Sequence, residues 1–308
     1  MREKTSRNLS LTLVILVIIS MTAGCGSAGK TPPKDITDAT GAPATAAPET
    51  GEGAAISESS NELSIDEQIL LEQEGLRITA KGFENDSIWG MGVKLLIENN
   101  TDKNLGVGCN ALIVNNYMIS DLFSSSVAAG KKSNEIMYIS STGLSASGIN
   151  RIGQIEVYFN IYDSDTYETI FNADLVTIKT SEYDTMDIRE MDDGKELLNR
   201  DGIRIVGKYV DENSFWGTAV LLYIKNASGK NVGINCDNMS VNGFMVTPVF
   251  SSTVYAEKMA IDDITILSSD LEANDIQSVD TVELSFHIYD ADSYSTIVDT
   301  EPITFTTK

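Results

Sequence analysis

From residue 70 onward the chain alternates apolar and polar positions with a period of two, the pattern of strands that bury one face. Val93, Leu95 and Ile97 share a face, with Lys94 and Glu98 opposite. Leu105, Val107 and Cys109 follow in the same way. Ile155, Val157, Phe159 and Ile161 then alternate with Glu156, Tyr158, Asn160 and Tyr162. Between these runs lie stretches rich in Asn, Asp, Ser and Gly, such as residues 99–103, whose side chains suit turns. Val114-Asn115-Asn116-Tyr117 reads as a two-residue hairpin, because Asn tolerates the positive φ of a type I′ turn.

The whole pattern is written twice. Trp89-Gly-Met-Gly-Val-Lys-Leu-Leu-Ile-Glu-Asn returns as Trp216-Gly-Thr-Ala-Val-Leu-Leu-Tyr-Ile-Lys-Asn, an offset of 127 positions. The offset holds without a gap for residues 70–181 against 197–308. Val220, Leu222 and Ile224 answer the first inward set, and Val232, Ile234 and Cys236 the second. Val282, Leu284, Phe286 and Ile288 answer the third, and Val241-Asn242-Gly243-Phe244 answers the hairpin. About seven strands per copy, turn signals every 8–12 residues and no long helical period predict an all-β protein. Its expected form is two tandem immunoglobulin-like β-sandwich domains, at 70–181 and 197–308, with a barrel as the alternative. Residues 182–196 read as a short acidic linker or a brief helix.

The first 69 residues have a different character. Arg2, Lys4 and Arg7 precede an apolar run over residues 9–19, too short for a spanning helix and typical of a secretory signal. The run ends in Met21-Thr22-Ala23-Gly24-Cys25, which resembles the lipobox of bacterial lipoproteins, with Met21 where Leu is commonest. The resemblance implies that residues 1–24 are removed and that Cys25 becomes a lipidated N-terminus, on the extracytoplasmic face of the cell membrane. A diacylglyceryl group supplies two chains and holds firmly where a single chain would not. Residues 25–69 are rich in Ala, Thr, Gly, Ser, Pro and acid, without apolar period, and are expected to form a disordered tether. Such a tether would lift the folded part off the membrane.

Net charge narrows the partners. The formal charge is −23, and removing the leader, which carries a net +2, leaves about −25. A surface so negative repels phosphate backbones, so nucleic acid is not an expected partner. Apart from the membrane reached through the lipid, an extracellular protein or glycan is.

Taken together, W-G-x-x-V-x-L-x-I-x-N, V-N-G/N-aromatic-M and F-x-I-Y-D-x-D-x-Y-x-T-I in tandem resemble uncharacterised immunoglobulin-like repeats on surface lipoproteins of Gram-positive, clostridia-type bacteria. The likeness covers residues 70–308 and the leader. It implies fold and surface location and brings no activity or ligand with it.

Few residues suggest chemistry. Cys109 and Cys236 occupy equivalent inward positions, one per copy, too far apart for a disulfide, and are expected to be small buried hydrophobes. His287 is the only histidine, and its counterpart is Asn160, so a repeated Ser-His-Asp device is not expected. Trp89 and Trp216 are expected to anchor their cores. Asp163, Asp165, Asp290 and Asp292 form a repeated Asp-x-Asp; oxygen ligands this close can begin a Ca²⁺ site, but Asp is equally a turn residue. Tyr117-Met118 and Phe244-Met245 set an aromatic beside a Met at each hairpin tip, a candidate recognition surface. The sequence therefore points to a non-enzymatic, lipid-anchored surface protein that binds or adheres. An accessory or spacer subunit of an envelope complex, or a Ca²⁺-dependent carbohydrate-binding module, are the alternatives.

Overall fold

The computed structural model describes residues 32–38, 63–86, 90–120 and 123–307. Cys25 and Trp89 lie outside them. Among the described residues the chain is almost entirely β, in sandwich-like layers.

The first copy contains β2 (Gln68–Gln73), β3 (Leu76–Asp86), β4 (Gly90–Asn99), β5 (Leu105–Val114), β6 (Tyr117–Ile119) and β7 (Ser124–Val127). They are followed by β8 (Lys132–Tyr138), β9 (Gln154–Asp163), β10 (Thr169–Asn172) and β11 (Val176–Lys179). One layer runs β2-β3-β4-β8. In the facing layer β5 pairs with β6, β7 and β9, and β9 pairs with β10 and β11. The second copy repeats this with β12 (Lys195–Arg200), β13 (Ile203–Ser214), β14 (Gly217–Asn226), β15 (Val232–Val241), β16 (Phe244–Met245) and β17 (Pro248–Val249). It closes with β18 (Ser251–Val254), β19 (Lys258–Leu267), β20 (Thr281–Asp290), β21 (Thr296–Asp299) and β22 (Ile303–Thr307).

The alternation read from the sequence is the alternation of burial. Val93, Leu95, Ile97, Val107, Ile155, Val157, Phe159 and Ile161 are buried in one core, and their counterparts Val220 to Ile288 in a second. Both predicted hairpins form with positive φ at each central residue: 46° and 68° at Asn115 and Asn116, 52° and 84° at Asn242 and Gly243. Each first Asn also latches its hairpin to the start of the neighbouring strand, β9 or β20. Asn115 accepts from the N–H groups of Gly153 and Gln154 (3.0 and 3.1 Å). Asn242 accepts from Asp280 and Thr281 (3.0 and 2.9 Å).

Two features depart from the expected layout. The described residues belong to one compact unit, because the copies are stitched together rather than hung on a linker. β6, the tip strand of the first copy, adds in parallel to the edge of β19 of the second, with Tyr117 opposite Met259 and Met118 opposite Ala260. Met259, Val206 and Tyr223 thereby complete the first core, while Met118 packs against the second. The intervening segment carries a short 3-10 turn, η1 (Tyr183–Thr185), and then crosses this junction in extended form.

The second departure lies in the expected tether, which is not without structure. Lys34–Thr37 form a strand, β1, in the second copy. Lys34 and Asp35 pair with Val210 and Tyr209 of β13, and Ile36 and Thr37 pair with Thr307 and Thr306 of β22. Ile36 is buried in the second core. Four residues in a low-complexity stretch give no readable period, so only their partners reveal them.

Candidate binding surface

The two hairpin tips have nearly the same sequence and opposite surroundings. Tyr117 is 1% exposed. Its hydroxyl donates to the carbonyl of Arg189 at 2.6 Å and accepts from the N–H of Met191 at 3.0 Å. Loss of water around the ring pushes its pKa up to about 12. Beside it, Lys258 Nζ reaches Glu156 Oε2 at 2.6 Å in a buried pair and Asn116 Oδ1 at 3.3 Å. Tyr158 packs edge-on against Tyr255 with ring centroids 4.8 Å apart. Glu190 takes bonds from Tyr223 (3.2 Å) and Lys225 (2.6 Å), fixing the crossing segment over the seam. Tyr117 and the half-buried Met118 are thus junction residues, a correction to their reading as recognition residues.

Phe244 and Met245, by contrast, are 50% and 64% exposed. They stand at one end of the second sandwich with other apolar side chains. Gly217 pairs with Leu267 and Pro248 with Ile266, so the 214–217 turn and β17 leave the sheets at the same end as the Asn242-Gly243 hairpin. Asp270 accepts from the N–H of Thr247 at 2.8 Å and ties the short helix Ser268–Ala273 to that end. Trp216 is 62% exposed, with Phe215 edge-on to it at 4.8 Å and more exposed still. The expectation that Trp216 anchors a core is therefore wrong. It lies in the turn before β14, beyond the last buried layer, and Gly217 follows it at φ 147° with no room for a side chain. Val249 adds to the same end at 53% exposure. Five large apolar side chains thus stand exposed at one end of an otherwise acidic protein.

The other candidates serve structure. Asp163 accepts from the N–H groups of Asp165 and Thr166, and Asp290 from those of Asp292 and Ser293 (both 3.0 Å). Lys103 and Lys230 lie beside the two carboxylates at 3.5 and 3.0 Å. The lysine and the turn amides hold Asp290 down at about 2 and lower Asp163 as well. Asp165 is bound by Asn104, and no group of three metal-ligating side chains converges among the described residues. Cys236 is buried and its thiol is pushed up to about 12 by desolvation. Cys109 is only half-buried, less than its inward position suggested. His287 Nδ1 meets Asp299 at 2.6 Å on the outer face.

A shallow cleft of about 230 Å³ lies along the seam, lined by Met118, Ile119, Ser252, Ala260 and Asp262. Burial raises the Asp262 carboxyl, with Ser252 partly offsetting it. The cleft is smaller than the usual small-molecule site.

No family model matches the chain, and no curated protein does. Among solved structures, a Salmonella enterica SafA pilin in complex with the SafB chaperone is similar over 70% of this chain and 88% of its own, at 10% identity and TM-score 0.21. A protein of unknown function from Porphyromonas gingivalis W83 is similar over 77% and 96%, at 11% identity and TM-score 0.19.

Proposed function

We propose that this is a non-enzymatic, lipid-anchored binding protein of the bacterial cell surface, whose contact surface is the apolar end of the second sandwich. The observation that carries this reading is the exposure of Phe215, Trp216, Phe244, Met245 and Val249 at a single end. The immunoglobulin-like sandwich is a common scaffold for such loops, an analogy of fold that supports the reading without carrying it.

The anchor, on this reading, is Cys25. Only eight residues then separate it from Lys34, a reach of roughly 30 Å when fully extended. Lys34 bonds Ser278 at 2.7 Å, and Ser278 in turn accepts from Asn242 of the exposed hairpin through its carbonyl at 2.8 Å. The patch therefore works beside the bilayer rather than at the end of a long tether. That short reach favours, as a second reading, an accessory subunit whose partner is itself held at the membrane.

The test uses chain 26–308 without its lipid, as wild type and with Phe215, Trp216, Phe244 and Met245 changed to Ser. Retention on isolated cell envelopes should fall at least tenfold in the variant while its melting temperature stays within a few degrees. Equal retention would remove the patch as the contact surface.

A further inference from the structure

β1 has an equivalent in the first copy. There, residues 63–65 lie beside Phe83, and Ser181 donates to the carbonyl of Ser64 at 2.9 Å. These residues run directly into β2, so the first copy supplies its own edge segment. In the second copy the residues at the same offset are 190–192, and they are committed to the seam through Tyr117, Tyr223 and Arg204. The vacated place beside Val210, the counterpart of Phe83, is filled by Lys34–Thr37 from before the first copy.

The place is a shaped site. Gly207 stands where the first copy has Ala80, and a Cβ there would come within 2.9 Å of Ile36 Cδ1. The absent side chain, with Leu197 beside it, makes the socket for Ile36. Lys34 Nζ is held by Glu212 at 2.9 Å and Ser278 at 2.7 Å, with Asp280 at 3.9 Å. The hydroxyl oxygens of Thr37 and Thr306 lie 3.1 Å apart. Backbone pairing supplies affinity, while the cation clamp and aliphatic socket supply selectivity, as in other strand-addition sites.

We propose that this groove is a strand-acceptor site for an extended Lys-x-Ile-Thr segment, and that residues 34–37 of a second copy enter it in place of the chain's own. The occupant is four residues long and is joined to the next described residue, Leu63, by 39–62 and Asp38. A stretch of that length spans about 80 Å when extended, so it does not force the segment onto its own chain. A tether of that length gives an effective concentration of about a millimolar or less. Copies crowded on a surface compete on those terms, and exchange then links neighbours without any new contact.

The experiment mixes two full-length chains, both carrying Cys25→Ser. The acceptor carries Ile36→Asp, which disables its own segment, and Thr306→Cys. The donor carries Thr37→Cys alone. Under mild oxidation only entry in trans brings the two introduced thiols together. A disulfide-linked heterodimer should accumulate at least tenfold above that formed by a donor also carrying Ile36→Asp. Excess peptide of sequence 31–39 should suppress it. Absence of that dimer from a folded acceptor would overturn the proposal. If the acceptor does not fold, the single chain carrying both Thr37→Cys and Thr306→Cys decides. Intermolecular cross-links that rise with concentration support exchange, and intramolecular closure alone at every concentration refutes it.

Discussion

Tyr117-Met118 and Phe244-Met245 are one hairpin tip placed in two environments. The first is sealed into the seam and the second stands in solvent. The tips themselves differ little; the edges that could receive them differ greatly. β19 opens with Lys258-Met259-Ala260, an apolar pair behind a lysine that finds Glu156. The residues at the same offset in the first copy are Lys131-Lys132-Ser133, where its counterpart β8 begins, and Lys132 is paired to Glu98. An edge of charged and polar residues resists strand addition, whereas a short apolar edge invites it. The repeat therefore joins once, head to tail, and stops. The first tip becomes glue, and the second stays in solvent.

The largest effect expected from breaking that asymmetry is at Tyr117. Tyr117→Ala removes a fully buried ring and should cost about 3–5 kcal/mol in chemical denaturation, splitting one transition into two as the halves uncouple. Lys258→Met leaves Glu156 buried without its partner and should cost about 3 kcal/mol, near the lower end for a broken buried pair. Trp216→Ala and Phe244→Ser, on the exposed side of the comparison, should each change stability by no more than about 0.5 kcal/mol. A loss of several kcal/mol from either would show that the patch is packed rather than presented.

A smaller effect follows from the turn carboxylates. Asp290 sits at about 2 in the folded protein, below its free value of about 3.9, so its stabilising contribution is complete above that free value. It is lost as pH falls from about 4 toward 2. Asp290→Asn should flatten the melting-temperature decline across that window, as followed by circular dichroism.

Most of the fold was legible because its signals are local. Val93-Leu95-Ile97 and Phe159-Ile161 declare their faces by period two, and Asn242-Gly243 declares its turn by the φ it permits. The contact patch was half legible, since Phe244 and Met245 stand out at a hairpin tip. Trp216 misleads because repetition at a matched position implies burial, whereas the layer it would join ends one residue later. Burial of Tyr117 was illegible because it depends on an edge more than a hundred residues away. β1 was illegible because Ile36 is a single apolar residue among turn formers until Gly207 provides its socket.

Hydrogen exchange at two equivalent amides tests the head-to-tail seam most directly. The N–H of Met259 donates to the carbonyl of Asn116 at 2.9 Å across the seam, while Lys132, at the same place in the first copy, begins an edge strand. Protection of Met259 at least a hundredfold above Lys132 is the predicted result. Equal, rapid exchange at both would contradict the union of the two copies.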